Sequence, residues 1–121
     1  MARILVVDDS ATLLAGTRKI LESAGHEVLA AENGELGVAK SISDKPDLIV
    51  MDVVMPGING FQATRQLTKG EDTSHIPVII VSSKSQDADR VWGERQGACG
   101  YLTKPVDDRT LIDTVNDVLS A

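Results

Sequence analysis

Four apolar residues in a row, Leu48-Ile49-Val50-Met51, end on one carboxylate, Asp52, after which the chain turns at Pro56-Gly57 and enters an amphipathic segment. A run this short, apolar on both faces, is a strand covered on both sides, and such strands belong to parallel sheets flanked by helices. It delivers Asp52 to a sheet edge. The first apolar run, Ile4-Leu5-Val6-Val7, ends in the same way on Asp8-Asp9, and Tyr101-Leu102-Thr103-Lys104-Pro105 carries a lysine to the end of its own run. If the three strands are parallel, these charges meet.

Between such runs lie segments of helical period, the alternation that crossover connections require. Leu13, Leu14, Thr17, Ile20, Leu21 and Ala24 recur at helical spacing before Gly25 stops them. His26 to Ala31 reads as a weaker strand of mixed polarity, suited to an edge. Asn33 caps a short helix carrying Leu36, Val38, Ala39 and Ile42, which Pro46 ends. Asn59 caps a third helix, Phe61 to Lys69, and Pro77 to Val81 is a fourth strand ending at Ser82-Ser83. A polar segment, Gln86 to Gln96, reads as the fourth helix, with Ala88, Val91 and Trp92 as its few apolar positions. A fifth strand, Gly100 to Thr103, leads to Asp107, which caps a last helix with Leu111, Ile112, Val115, Val118 and Leu119 on one face. With no internal repeat or linker, residues 1–121 predict one doubly wound α/β domain: a five-stranded parallel sheet, order 2-1-3-4-5, with five helices, flavodoxin-like.

Composition limits the function. A net charge of -6 without a basic cluster argues against nucleic-acid binding. The lone Cys99 cannot form an intramolecular disulfide or a thiolate metal site and is expected to be a small core residue. No apolar run is long enough for a signal-peptide core or a membrane span, so a cytoplasmic protein is expected.

In the expected strand order Asp8, Asp9 and Asp52 lie within a few ångströms of one another. Each like-charged pair at about 4 Å costs roughly 4 kcal/mol at an effective dielectric near 20, so positive charge must sit among them. Lys104 supplies one charge; a hard divalent cation supplies two more, and Mg²⁺ suits carboxylates, water and phosphate oxygens best. The Val54 side chain offers no ligand, but its backbone carbonyl lies in the turn. Each feature alone has a plain structural explanation: Asp8-Asp9-Ser10 as a helix cap, Asp52 as a turn brace, Ser82 as a loop start and Lys104 as a solvated surface residue. Their convergence from four strands at one edge favours function.

Four segments carry a resemblance: Val6-Val7-Asp8-Asp9-Ser10, Met51 through Gly60, Pro77 through Ser83, and Tyr101 through Pro105. In this order and spacing they resemble the signatures of the CheY-like response-regulator receiver family over essentially the whole chain. A narrower likeness, to the stand-alone receivers of type IV pilus twitching systems, rests on Gly60 through Thr68 and Val91 through Ala98.

The resemblance implies that Asp52 takes a phosphoryl group from a phosphohistidine on a sensor kinase, CheA-like in such systems. Asp9, Asp52 and the Val54 carbonyl would bind Mg²⁺ directly, and Asp8 through water. Lys104 would pair with phosphoryl oxygens, Ser82 would donate to one of them, and the Lys104-Pro105 bond would be cis. Phosphorylation would draw Ser82 inward and let Tyr101 fill the vacated space. The fourth helix, fifth strand and fifth helix would present Arg90, Trp92, Arg95 and Tyr101 to a downstream protein, with Trp92 equally suited to anchor the core. Val54 and Lys84 depart from the family's usual polar and acidic residues beside the path of the hydrolytic water, which predicts slow self-dephosphorylation. The expected protein is a phosphoacceptor and not a dedicated enzyme, a monomer for which dimerisation on phosphorylation stays open.

Other readings compete. A phosphate sink for a shared kinase and a phosphorylation-independent adaptor use the same fold. Asp8-x-Ser10-x-Thr12 faintly echoes the haloacid-dehalogenase phosphatases, but Ser10 stands where they need a second Asp. A flavin protein is disfavoured because the first turn presents carboxylates where phosphate needs amides.

Overall fold

The computed structural model describes residues 1–121. Strands β1 (Arg3–Val7), β2 (Glu27–Ala31), β3 (Leu48–Met51), β4 (Val78–Ser82) and β5 (Gly100–Thr103) alternate with helices α1 (Ala11–Ser23), α2 (Gly34–Asp44), α3 (Gly60–Lys69), α4 (Asp87–Arg95) and α5 (Asp108–Ser120). All pairings are parallel, in the expected order β2-β1-β3-β4-β5. No helix is long and apolar enough to cross a membrane.

Strand alternation divides the core into layers. Ile4 and Val6 of β1, Leu48 and Val50 of β3 and Ile79 of β4 face Leu21 of α1 and Leu111 and Val115 of α5. Leu5, Val7, Ile49, Met51 and Val78 face the other way, against Ala63 and Leu67 of α3. Val53, Phe61, Ile80 and Tyr101 form a third, smaller cluster near the carboxyl end of the sheet. Side chains of Ser10, Asn33, Asn59 and Asp107 cap α1, α2, α3 and α5, each accepting from a backbone N–H in the first turn.

Two expectations fail on burial. Leu36, Ala39 and Ile42 of α2 are exposed, and the helix turns Gly34, Gly37 and Ser41 inward with Val38 half-buried. A Cβ on Gly37 would lie 2.8 Å from Val7 Cγ2, and one on Gly34 2.7 Å from Ile58 Cγ1. The helix backbone thus occupies the space that larger side chains would fill, and hydrophobic periodicity does not register burial through glycine. Cys99, expected in the core, is exposed, because the chain meets the sheet there through its backbone, Cys99 N–H donating to the Val78 carbonyl at 2.8 Å. Helix α2 ends at Asp44 with Lys45 in the left-handed region (φ 49°), one residue ahead of Pro46.

Candidate functional site at the carboxyl edge of the sheet

The outer strand residues bring the charges together. Asp52 N–H donates to the Val7 carbonyl at 2.9 Å, so the residue after β3 is pinned beside the last residue of β1. Lys104 N–H donates to the Ser82 carbonyl at 2.8 Å, fixing the end of β5 against β4 in the same way. Carboxylate oxygens of Asp8, Asp9 and Asp52 all fall within 4.8 Å of one another, Asp8 and Asp52 buried and Asp9 at the rim. Lys104 Nζ reaches both buried acids, 3.1 Å from Asp8 Oδ2 and 3.1 Å from Asp52 Oδ1. The other oxygen of Asp8 accepts from Ser10 N–H at 2.9 Å, which ties the acid to the start of α1. The Lys104-Pro105 bond is cis, as the resemblance implied.

Gly60 is part of the site by lacking a side chain. A Cβ there would sit 2.0 Å from the Asp52 carbonyl oxygen, and Gly60 N–H donates to the Val53 carbonyl at 2.9 Å. The start of α3 is thereby pressed against the segment that carries Asp52. Asn59-Gly60 after a strand end was the available signal, although a turn alone does not announce so close an approach.

Electrostatics follow from the packing. Burial raises the Asp52 carboxyl above its ordinary value, the Lys104 charge opposes that, and Asp8 reinforces it. Burial by itself would depress the Lys104 ammonium, but the hydrogen bond to Asp8 and the charge and hydrogen bond of Asp52 outweigh it and hold Lys104 above the usual lysine value. Three clustered carboxylates face one ammonium, and the donors are all hard oxygens. The residues therefore fit a hard divalent cation.

The remaining residues frame this centre. Ser82 is buried, its Oγ accepting from Lys84 N–H at 3.2 Å. Val54 is 57% exposed and opens on solvent beside the acids. Tyr101 departs from the expected surface position, for it is only 8% exposed and its hydroxyl donates to the Lys84 carbonyl at 2.7 Å. The ring fills the gap between Phe61 and Ile80, and burial raises its phenol above the ordinary value. Trp92 is 50% exposed and anchors nothing in the core, while Arg90 and Arg95 share its exposed helix.

Parallel strands that gather acids and a lysine at their carboxyl ends define a phosphoreceiver class of doubly wound domain, and the comparisons agree. Residues 4–116 match the response regulator receiver domain model. The chain is 62% identical to Protein PilH of Pseudomonas aeruginosa over 120 residues, covering 99% of each. The structure of chemotaxis protein CheY4 of Vibrio cholerae superposes with TM-score 0.92 at 30% identity, covering 98% of both chains. A CheY-like receiver domain protein from Methanospirillum hungatei gives TM-score 0.92 at 29% identity, covering 99% of this chain and 94% of that one. The chain belongs to the response-regulator receiver family, the signal-receiving proteins of two-component phosphorelays.

Proposed function

We propose that Asp52 is the phosphoacceptor of a receiver that acts as one domain, 1–121, and signals through protein contacts. The observation that carries this reading is Lys104 Nζ held 3.1 Å from both Asp8 and Asp52, with Asp9 beside them. In the reaction, an Asp52 carboxylate oxygen bonds to phosphorus as the P–N bond of a kinase phosphohistidine breaks, and the bonding pair returns to the imidazole nitrogen. A loose phosphoryl-transfer transition state asks for positioning and charge neutralisation more than covalent help. Lys104 meets the phosphoryl oxygens, and the Ser82 hydroxyl donates to one of them. Asp9, Asp52 and the Val54 carbonyl, with Asp8 through water, would hold Mg²⁺, which would supply further charge neutralisation.

The phosphodonor is a sensor histidine kinase of the CheA type, and the surface of α4, β5 and α5, with Arg90, Trp92 and Arg95, meets the output protein. The end-to-end similarity to PilH supports a place in type IV pilus or chemotaxis-like control, in the cytoplasm. The protein is a phosphoacceptor and not a dedicated enzyme. Asp52→Asn abolishes labelling by a radioactive phosphodonor while circular dichroism stays native; undiminished labelling defeats the assignment. The apolar, exposed Val54 cannot orient a water, so Val54→Asn shortens the phosphoryl half-life, measured by decay of hydroxylamine-labile label. An unchanged half-life removes Val54 from that role.

A further inference from the structure

Helix α4 has almost no apolar attachment. Gly93 is its one buried residue, and Val91 and Trp92 stand about half exposed. Polar contacts from a single side chain take the place of packing. Arg90 Nη1 donates to the Tyr101 carbonyl at 3.3 Å, and Nη2 donates to Thr103 Oγ1 at 3.3 Å. The same guanidinium lies 5.6 Å from the centroid of the Tyr101 ring, within cation–π range. Arg90 has no carboxylate partner, so its charge is directed at the ring and at the end of β5.

Tyr101 is closed in from three sides. Its hydroxyl is tied to the Lys84 carbonyl, its ring packs with Val53, Phe61 and Ile80, and a Cβ on Gly93 would come within 3.1 Å of its Cδ2. Val53 follows Asp52 directly, and Gly60, next to Phe61, abuts the Asp52 carbonyl. The small cluster is therefore a packed bridge from the acidic site to α4.

We propose that Arg90 is a positioning residue that holds Tyr101 in its buried orientation and α4 on β5, and thereby couples α4 to Asp52 through Val53, Phe61, Ile80 and Tyr101. The coupling half rests on Asp52 being the phosphoacceptor; the holding half does not. A lysine keeps the charge but lacks the planar guanidinium whose two nitrogens reach separate acceptors while its face meets the ring, so Arg90→Lys is the conservative variant.

The chain has one tyrosine, so its ring NMR signals need no further assignment. In Arg90→Ala the Tyr101 signals move toward those of a solvent-exposed tyrosine, and α4 amides exchange at least about tenfold faster while β1 and β3 keep their protection. Arg90→Lys falls between. Wild-type ring signals and α4 exchange in Arg90→Ala overturn the holding role, as does equal loss of protection across β1 and β3. Binding of Mg²⁺ with beryllofluoride, followed by ¹⁹F NMR, weakens by about fivefold in Arg90→Ala, the low end of site-to-site coupling. Equal affinity with displaced ring signals overturns the coupling. Absence of bound fluoride even in wild type sinks the phosphoacceptor reading and the coupling with it, while the ring signals still decide the holding role.

Discussion

Helices α3 and α4 are held to the chain in opposite ways. Helix α3 buries Gly60, Phe61, Ala63, Thr64 and Leu67, and opens with a capping box in which Asn59 and Gln62 exchange hydrogen bonds with each other's backbone. Helix α4 buries Gly93 alone and relies on Arg90. The helix that braces Asp52 is thus built into the core, and the helix proposed to face the output partner is not. Regions that move in signalling are drawn from the weakly packed end of a fold, because a deeply packed element costs too much to displace.

The largest effects should fall on the α3 side. Gly60→Ala forces a methyl onto the Asp52 carbonyl oxygen and costs about 3 kcal/mol, the upper end for an overpacked site; Leu67→Ala, fully buried, costs about 2–5 kcal/mol. Urea denaturation measures both. A loss below about 1 kcal/mol in each would erase the contrast.

An intermediate effect comes from the acids themselves. The folded Asp52 carboxyl is raised, so the native state binds that proton more tightly than the unfolded chain, and ionised Asp52 costs stability at neutral pH. Without divalent cations, stability should therefore gain from this group as pH falls through its raised value toward the ordinary carboxylate value near 3.8. Asp52→Asn removes the cost and lifts the thermal midpoint at pH 7. Lys104 acts oppositely: its contribution is complete below the unfolded value near 10.5 and disappears as pH rises through the higher folded value. A thermal midpoint that drops in Asp52→Asn would contradict the raised carboxyl.

The smallest effect belongs to α4. Trp92→Ala should change urea stability by no more than about 0.5 kcal/mol, as a surface substitution does. A cost of several kcal/mol would place Trp92 in the core and break the comparison from the other side.

Sheet order and strand ends were readable because an apolar run that stops on a charge states both burial and direction; the gathering of Asp8, Asp9, Asp52 and Lys104 followed from order alone. What escaped the sequence was contact made without side chains. Gly34 and Gly37 bury α2 where Leu36 and Ile42 signalled a different face, and Gly60 shapes the site by what it lacks. Tyr101 was misplaced for a related reason, since the room for its ring is created by Gly93 on a helix with no apolar face. Cys99 read as interior by residue type, yet backbone pairing brings it to the sheet with its thiol outward.

The hydrogen bonds from Asp52 to Val7 and from Lys104 to Ser82 extend the sheet's own ladder by one rung beyond its strands. The reacting groups therefore inherit their spacing from interstrand distance and owe little to the loops that follow them. Such a scaffold tolerates rewriting of those loops, so recognition of different upstream and downstream proteins can diverge while the chemistry at its rim stays in register.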